Sequence, residues 1–500
     1  MSIREFLVKS RKMKMTKLIM MIGAAAFALG AAAMTLEDGF KNPPSSAKPH
    51  TWYHVMNGNA TKAGISCDFE AIAKAGLGGV QLFDVGCHMP VGELKFGSDE
   101  WFDFLRHAHF EAKRLGIELC LVNGAGWANS GGPWITPEYG MKQVVASEVK
   151  VVGPKAGWMT VLKRETNDNG FYGDIAVLAY PTPKPGPKIS GFNIKCGSVR
   201  ARYTRDTREF PPSTIVFKNS VIDLTDKMSA DGTLAWNVPD GAWTVLRIGY
   251  ICNGKTCLAS SDSGKGLEVD KLSAKAMDFH FDSYVGRLCR MVGITAGADT
   301  TSGLSCVQVD SWEVGCQNWT QGLEKTFEAR FGYSIRPYLP VFAGRTVESV
   351  NETERFLEDF RRLLADLIAE NFSGRLVRRC HENGLKCTIE PYGIGNTDDL
   401  QYGQDVDIPM AEFWCKLGED GLGFWNTGNS RLAASLAHVW GRRYVASESF
   451  TSMPGRGGRW QTMPFSIKNH ADRAYCDAST ASSTIASRTS RGQATNMSPA

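Results

Sequence analysis

The sequence predicts an α/β fold, a (β/α)8 barrel of the TIM type that carries an all-β insertion after its third strand. Three observations lead to this prediction. Short apolar runs alternate with amphipathic helical segments along most of the 500 residues. Several of these runs end in an acidic residue, and one internal stretch changes to period-two patterning. Continuous apolar runs are typical of buried parallel strands, and strand–helix alternation is typical of parallel sheets.

The first part of the barrel is predicted to span residues 50–147. Its three strands are TWYHVMNG, GVQLFDV and IELCLVNGAGW. The segment EWFDFLRHAHFEAKRLG between the second and third strands has helical spacing, and Gly116 is its predicted stop. The loop NGAGWANSGG lacks the GxGxxG and Walker spacings, so a nucleotide site is not expected there.

The all-β insertion is predicted to span residues 148–258, where short strands such as DIAVLAY and WTVLRIGYI are separated by Pro, Gly and Thr. Residues 259–477 are predicted to complete the barrel. Their apolar runs supply a fourth to a seventh strand at LSCVQVDSWE, LKCTIEP, IPMAEFW and RYVASES.

The eighth strand is predicted to be missing, because residues 478–500 form the polar string ASTASSTIASRTSRGQATNMSPA. A low-complexity tail is one interpretation of this string, and a frameshift at the Asp477 codon is the other. Either would leave unpaired edges on the first and seventh strands, which favours aggregation. We therefore expect this tail to be aberrant and the chain as written to be poorly folded or inactive.

The N-terminus has the layout of a secretory signal peptide over residues 1–33, since a basic stretch precedes the run LIMMIGAAAFALGAAA. Residues 34–49 are then a linker. A membrane anchor is the alternative, but the run is short for a spanning helix. The thirteen cysteines are scattered without a CxxC pair, so no zinc site or disulfide framework is expected. Only Cys252 and Cys257 are candidates to close a small loop in an oxidising compartment.

Composition excludes some classes of partner. Hydrophobic residues make up 43% of the chain and charged residues 22%, as in soluble globular proteins, and the net charge is only +4. Nucleic acid is therefore not expected as a partner, nor is a membrane beyond the signal peptide. The oligomeric state is not predicted.

Four acidic residues, Glu313, Glu390, Glu412 and Glu448, each close an apolar run. Active sites of (β/α)8 barrels lie at the C-terminal ends of the strands, so these carboxylates are predicted to share one mouth. Ion pairing or helix capping is the common alternative for any single one of them.

Aromatic residues next to two of these carboxylates, Trp312 and Phe413, favour a carbohydrate substrate held against a flat apolar face. Other candidate substrate-binding residues lie at or near predicted strand ends. For the aromatic candidates, core packing is the alternative. The complete set is His54, Asn57, Asn123, Trp127, Asp310, Trp312, Glu390, Tyr392 and Trp414.

A specific resemblance is spread over residues Trp52 to Tyr475. It is carried by the segments GGVQLFDV, AKRLGIELCLVNGAGWANSGGPWITPE, GKGLEVDK, VDSWEVGCQNWT, GYSIRPYLP, RFLEDFRRLLADLIAENF and ASESFT. Together they resemble glycoside hydrolase family 106, the inverting, calcium-dependent α-L-rhamnosidases. The resemblance implies a periplasmic or secreted bacterial enzyme that acts on plant polysaccharides and normally has further β domains after the barrel.

Inverting hydrolysis needs a carboxylic acid that protonates the leaving oxygen and a carboxylate that activates water, about 6.5 to 9.5 Å apart. Strands four and seven lie on roughly opposite sides of a barrel mouth, so Glu313 is assigned as acid and Glu448 as base. The resemblance supports both, through motifs like SWE and SES. Trp312 is expected to raise the pKa of Glu313 by excluding water. Glu412 is the third essential carboxylate, which orients water or binds calcium.

Two alternatives stay open. The first is a barrel glycosidase whose substrate is another sugar, such as a fucoside, a galactoside or a uronide, since pocket shape sets the sugar and one sequence does not show it. A non-catalytic carbohydrate-binding protein is the other alternative, against which the several strand-end carboxylates argue.

Overall fold

The computed structural model describes residues 35–127, 130–416, 423–425, 427–451, 464–477 and 483–484. The predicted signal peptide lies outside these residues. Backbone contacts divide the chain into two units, Met1–Lys48 and Pro49–Ala500. In the described part of the first unit, the predicted linker contains a helix, Leu36–Lys41, whose N-terminus is capped by the Thr35 side chain. No helix in the described ranges is long and apolar enough to cross a membrane.

Most of the second unit is built from one large sheet and several smaller ones. The strands are β1 (His50–Met56), β2 (Gly79–Val85), β3 (Glu118–Ala125), β4 (Gly131–Gly132), β5 (Lys142–Val161), β6 (Tyr172–Pro181), β7 (Ile215–Val216), β8 (Ile222–Asp223), β9 (Thr233–Cys252), β10 (Leu267–Glu268), β11 (Gly303–Val309), β12 (Thr346–Val347), β13 (Lys386–Ile389), β14 (Ile408–Lys416), β15 (Gly423–Trp425), β16 (Ala446–Thr451) and β17 (Ser483–Thr484).

Helices connect most strands of the large sheet, and further helices lie before β1 and between β6 and β7. They are α1 (Leu36–Lys41), α2 (Lys62–Lys74), α3 (Asp99–Leu115), α4 (Phe192–Lys195), α5 (Ala274–Ser283), α6 (Val285–Val292), α7 (Leu323–Phe331), α8 (Val350–Ile368), α9 (Gly374–Glu382), α10 (Asp399–Tyr402), α11 (Thr427–Trp440) and α12 (Pro464–Cys476). A π-helical turn, Ala369–Ser373, joins α8 to α9.

Helix α3 shows how local sequence sets these boundaries. The Ser98 hydroxyl accepts a hydrogen bond from the Trp101 backbone N–H at 3.2 Å and so caps the first turn. Gly116 ends the helix with φ 66°, a left-handed conformation that glycine adopts without steric cost. The side chains of Trp101, Leu105 and Ala112 form part of its buried face. The predicted helix and its stop are confirmed.

The large sheet is parallel and curled. Eight strands pair in parallel in the order β13-β11-β3-β2-β1-β17-β16-β14, and β13 also pairs with β14; the ninth strand, β15, pairs antiparallel with β14. Strands are therefore present at all seven positions where the apolar runs predicted them. The prediction of an α/β fold with a barrel-like parallel sheet is confirmed.

The prediction that the tail supplies no strand is wrong at two residues. Ser483 and Thr484 pair in parallel with His50 and Thr51 of β1, and also with Glu448 and Ser449 of β16. Apolar side chains were the criterion for the missing strand, whereas ladder pairing uses backbone N–H and C=O groups that a polar residue also has. The other residues of the tail, 478–482 and 485–500, lie outside the described residues.

A four-stranded antiparallel sheet with the order β5-β9-β6-β8 lies in the chain between β3 and β11. Its two long strands, β5 and β9, pair antiparallel, and β5 begins at Lys142, before the predicted insertion start at residue 148. One face packs a small core of its own that includes Val177, Leu234, Trp236 and Val245.

Cys252 and Cys257, the candidate disulfide pair, are not bonded to each other. Both are free, as are the other cysteines in the described part of the chain whose side chains are placed. A Cβ atom added to Gly140 would lie 2.8 Å from the Cys252 sulfur, and one added to Gly131 would lie 2.6 Å from the Cys257 sulfur. The two thiols therefore pack against different glycines.

Candidate active site

Four neighbouring strands of the parallel sheet bring carboxylates to one site. Asp310 and Glu390 directly follow the ends of β11 and β13. Glu412 and Glu448 lie within β14 and β16, where they are register partners. The Glu390 backbone N–H donates to the Val309 carbonyl at 3.0 Å, which ties the first two strand ends together.

Asp310, Glu390 and Glu448 form a compact cluster in which one carboxylate oxygen of each lies within 4.8 Å of the others. All three side chains are buried. Burial raises the pKa of Asp310 to about 8, and the charges of Glu412 and Glu313 add to the shift. Burial also raises the pKa of Glu390 and of Glu448 well above the usual range, and the Asp310 charge adds to both shifts.

Hydrogen bonds partly offset this repulsion. The Thr451 hydroxyl donates to Glu448 Oε1 at 2.5 Å. The Tyr392 hydroxyl lies 2.8 Å from Glu390 Oε2 and 3.3 Å from Glu412 Oε2. Because a phenol has one proton, Tyr392 donates to one of these carboxylates at a time.

Glu412 is half-buried between Tyr392 and the indole N–H of Trp414, which donates to Glu412 Oε1. Burial raises the pKa of Glu412, these two hydrogen bonds oppose the shift, and the Glu313 charge adds to it. Trp414 therefore lies at the site where it was predicted.

Glu313 is exposed, and the Ser311 hydroxyl donates to its Oε1 at 3.3 Å. Trp312, predicted as a sugar platform and as the group that excludes water from Glu313, instead lies in the core with 1% exposure. Its indole N–H donates to the Gly315 carbonyl at 2.6 Å. In an extended segment successive side chains face opposite sides, so an exposed Glu313 leaves Trp312 directed inward. Phe413 is likewise buried.

His54 lies on β1, next to β2. Burial lowers the pKa of His54 to about 4, so the imidazole is neutral at neutral pH. Its Nε2 is buried and has no hydrogen-bond partner among the described residues. The ring makes edge contacts with Trp52 and Phe83, which pack in the same cluster as Trp127.

The two predicted asparagines are used within the protein. The Asn57 amide donates to the Met89 carbonyl at 2.7 Å, and its side-chain oxygen accepts from the Asp262 N–H at 2.9 Å. Asn123 is fully buried and donates to the Ser130 hydroxyl at 2.5 Å. Both asparagines therefore have roles in holding loops together.

A family model described as alpha-L-rhamnosidase, of glycoside hydrolase family 106, matches residues 41–170 and 155–479, which is most of the chain. The chain belongs to this family. A solved structure, the rhamnosidase from Novosphingobium sp. PP1Y, superposes with a TM-score of 0.78 at 27% identity over 91% of this chain. The resemblance found in the sequence is thereby confirmed.

A relative named "Putative beta-glucuronidase" from Formosa agariphila is 41% identical over 447 residues, 89% of this chain. The chain spans 37% of the length of that relative and 56% of the Novosphingobium rhamnosidase. Both relatives are therefore named as glycosidases, but the two names refer to different sugars.

Three groups at this family 106 site were not predicted. Thr451 could have been predicted from the sequence, because it lies in the segment ASESFT that also contains Glu448. Glu268 and Lys271 are fully buried and paired at 2.6 Å behind Trp312. Both lie in the segment GKGLEVDK that carries the resemblance, but nothing in periodicity singles them out, since charged residues are expected at the surface.

The cluster of Asp310, Glu390 and Glu448 has the donor chemistry of a hard-cation site. Its ligand atoms are all carboxylate oxygens, which calcium and magnesium prefer. Glu390 Oε1 is buried without a hydrogen-bond partner in the described part of the chain, as expected of a ligand atom. Glu412, the predicted metal ligand, is not a member of this cluster.

Proposed function

We propose that this chain is the catalytic part of a secreted, inverting glycoside hydrolase that removes terminal α-L-rhamnosyl groups, built on a (β/α)8 barrel with an all-β insertion. The observation that carries the proposal is the convergence of Glu313, Glu412 and Glu448 on one site, together with family membership. Glu412 and Glu448 are register partners on β14 and β16, and Glu313 lies three residues after Asp310, which belongs to the same cluster as Glu448.

In the proposed mechanism, Glu313 is the general acid. Its carboxyl proton moves to the glycosidic oxygen as the bond from that oxygen to the anomeric carbon breaks, and the bonding electron pair stays on the oxygen. Its exposure suits this role, because the leaving group extends towards solvent. Glu448 is the general base, which takes a proton from the water that attacks the opposite face of the anomeric carbon. Glu412 and its partners Tyr392 and Trp414 orient that water or a sugar hydroxyl.

Calcium is the proposed cofactor, and Asp310 and Glu390 would hold it beside Glu448, the third member of the cluster. When bound, it supplies positive charge that stabilises ionised carboxylates and oxygen ligands. His54 is proposed to hydrogen-bond a sugar hydroxyl through its neutral Nε2.

A rhamnoside is favoured over a uronide by the charges in the site. Burial is the main cause of the raised pKa values of Asp310, Glu390, Glu412 and Glu448, and the charges that add to these shifts are those of other carboxylates. A uronate would bring a further negative charge, whereas rhamnose is a neutral 6-deoxy sugar. The uronide alternative rests on the name of the Formosa agariphila relative.

The test is hydrolysis of paired 4-nitrophenyl α-L-rhamnoside and 4-nitrophenyl β-D-glucuronide by the chain and by its Glu313→Gln and Glu448→Ala variants. We expect rhamnoside hydrolysis with inversion, and a loss of about 10²- to 10⁴-fold in Glu448→Ala, as for other positioned bases. Azide should partly restore the Glu448→Ala variant by replacing the activated water. Selective rescue of Glu412→Ala instead would move the base assignment to Glu412, and preferential glucuronide hydrolysis would reject the rhamnoside.

A further inference from the structure

A buried lysine–glutamate pair lies behind the segment that carries Glu313. Lys271 Nζ is 2.6 Å from Glu268 Oε2, and both side chains have 0% exposure. Removing two charges from water is costly, and apolar residues of the same volume are often at least as stabilising. Stability alone therefore gives no reason for this pair.

The contacts of Lys271 reach both ends of the segment 312–317. Its ammonium lies 5.0 Å from the centre of the Trp312 ring and 5.5 Å from that of Phe372. A cation over an indole face is attracted to it, more strongly when both are desolvated. The Lys271 backbone N–H also donates to Gln317 Oε1 at 2.9 Å.

Trp312 is in turn fixed to the loop after β13. Its N–H donates to the Tyr392 carbonyl at 2.9 Å, and its carbonyl accepts from the Ile394 N–H at 2.7 Å. A Cβ atom on Gly395 would lie 2.4 Å from the indole ring, so only glycine lets this loop lie flat on Trp312. Glu313 directly follows Trp312 in the chain.

We propose that Lys271 and Glu268 are positioning residues that hold the Trp312 ring and thereby aim the Glu313 carboxyl at the leaving oxygen. Glu268 fixes the ammonium, the ammonium fixes the indole, and the indole fixes the backbone from which Glu313 projects. This role rests on the proposed function, in which Glu313 is the general acid.

The role has a kinetic signature. A nitrophenolate leaves with little help from an acid, whereas an alkoxide must be protonated as the bond breaks. Misplacement of the Glu313 carboxyl relative to the leaving oxygen therefore slows hydrolysis of an alkyl α-L-rhamnoside far more than that of the 4-nitrophenyl rhamnoside. A general loss of folding slows both equally.

The test uses the full chain and the double variant Lys271→Met/Glu268→Gln, which leaves no unpaired buried charge. Its control is Lys195→Met/Glu354→Gln, which removes another buried Lys–Glu pair, 2.5 Å apart with 0% and 3% exposure. We expect the first variant to lower kcat for methyl α-L-rhamnoside by about 10²-fold, the loss that a small misplacement causes, with KM little changed. The nitrophenyl rate, and both rates of the control, should stay near wild type. Lys271→Arg should retain most of the methyl rhamnoside rate, because a guanidinium also stacks on an indole.

Hydrogen exchange supplies a readout that does not depend on activity. Peptides covering residues 310–318 should exchange faster in Lys271→Met/Glu268→Gln than in the wild type and the control. Unchanged exchange there, or equal rate losses on both rhamnosides, overturns the positioning role. Glu313→Gln separates this failure from that of the proposed function: if it shows no leaving-group dependence, Glu313 is not the acid and both proposals fail together.

Discussion

Glu313 and Glu448 are both glutamates, but the first is exposed to solvent and the second is buried. Glu313 is exposed with one weak hydrogen bond from Ser311, while Glu448 has 6% exposure and lies beside two other carboxylates. Burial and the neighbouring carboxylates favour the protonated form of Glu448, so its proposed role as base would depend on positive charge brought to the cluster. At the residue scale, the polar contacts of the buried carboxylates are therefore the sensitive positions.

Tyr392→Phe tests these contacts. It removes the hydroxyl that lies 2.8 Å from Glu390 and 3.3 Å from Glu412. We expect the free energy of unfolding to fall by about 1 kcal/mol, the net contribution of one intramolecular hydrogen bond. Urea unfolding measures it. Tyr402→Phe is the matched control, because the buried Tyr402 hydroxyl has no partner among the described residues. An equal loss in both variants would contradict the role of Tyr392.

At the scale of elements, strand length and register decide which side chains meet. β13 has only four residues, and Glu390 comes directly after it, level with the end of β11. The pairing of Glu412 with Glu448 puts two carboxylates on adjacent strands. Parallel strands place their C-terminal ends at the same edge, so acidic residues at those ends converge.

Calcium binding is predicted at this edge. A ligand that binds only the native state stabilises it by about 2.7 kcal/mol at a hundredfold excess over Kd. We expect calcium to raise Tm in a thermal scan and chelation to reverse the rise. The rise should vanish in Asp310→Asn and persist in Asp84→Asn, which removes a buried carboxylate outside the cluster. A Tm that is indifferent to calcium would remove the cofactor from the proposal.

The closing strand β17 provides a second prediction at this scale. Ser483 and Thr484 pair with strands on both sides. Ser483→Pro/Thr484→Pro removes both N–H donors, and each lost ladder hydrogen bond costs about 1 kcal/mol. We expect its Tm to fall below that of Ser483→Ala/Thr484→Ala, which keeps both donors. Equal Tm values would show that this pairing does not contribute to stability.

Across the whole molecule, three buried histidines couple stability to pH. Burial lowers the pKa of His54, His109 and His280 from 6.5 to about 4. His109 Nδ1 accepts from the Leu304 N–H at 3.0 Å, and His280 Nδ1 accepts from the Trp134 indole at 3.2 Å. Both acceptors require an unprotonated nitrogen, so the native state keeps these rings neutral.

The contribution of these histidines to stability should therefore fall as the solution is acidified, whereas the buried carboxylates with raised pKa contribute in the opposite direction. Between pH 6.5 and about 4 the unfolded chain binds protons that these native histidines do not, so unfolding becomes easier as pH falls. Urea unfolding from pH 7 to 4 measures this slope. Relative to the wild type, His109→Gln should be less destabilised, or more stabilised, between pH 7 and 4, whereas His438→Gln, at an exposed position, should follow the wild-type slope. A slope that is the same in all three proteins would exclude the histidine contribution.

Sequence alone determined the strand runs, helix α3 with its Gly116 stop, the carboxylates at strand ends and the family. These are local properties: apolar periodicity, capping residues and motifs are set by neighbours along the chain. The same criterion missed β17, because backbone pairing needs no apolar side chain.

Only the tertiary structure decided which carboxylates meet and which way their neighbours face. The cluster contains Asp310 with Glu390 and Glu448, and leaves out Glu412. Trp312 faces the core, where Lys271 lies over its ring. These outcomes depend on strand register and on burial by residues far away in the chain, such as the Glu268 that neutralises Lys271. The local sequence does not predict these contacts, because the residue type of a charged side chain does not show whether that side chain is buried or exposed.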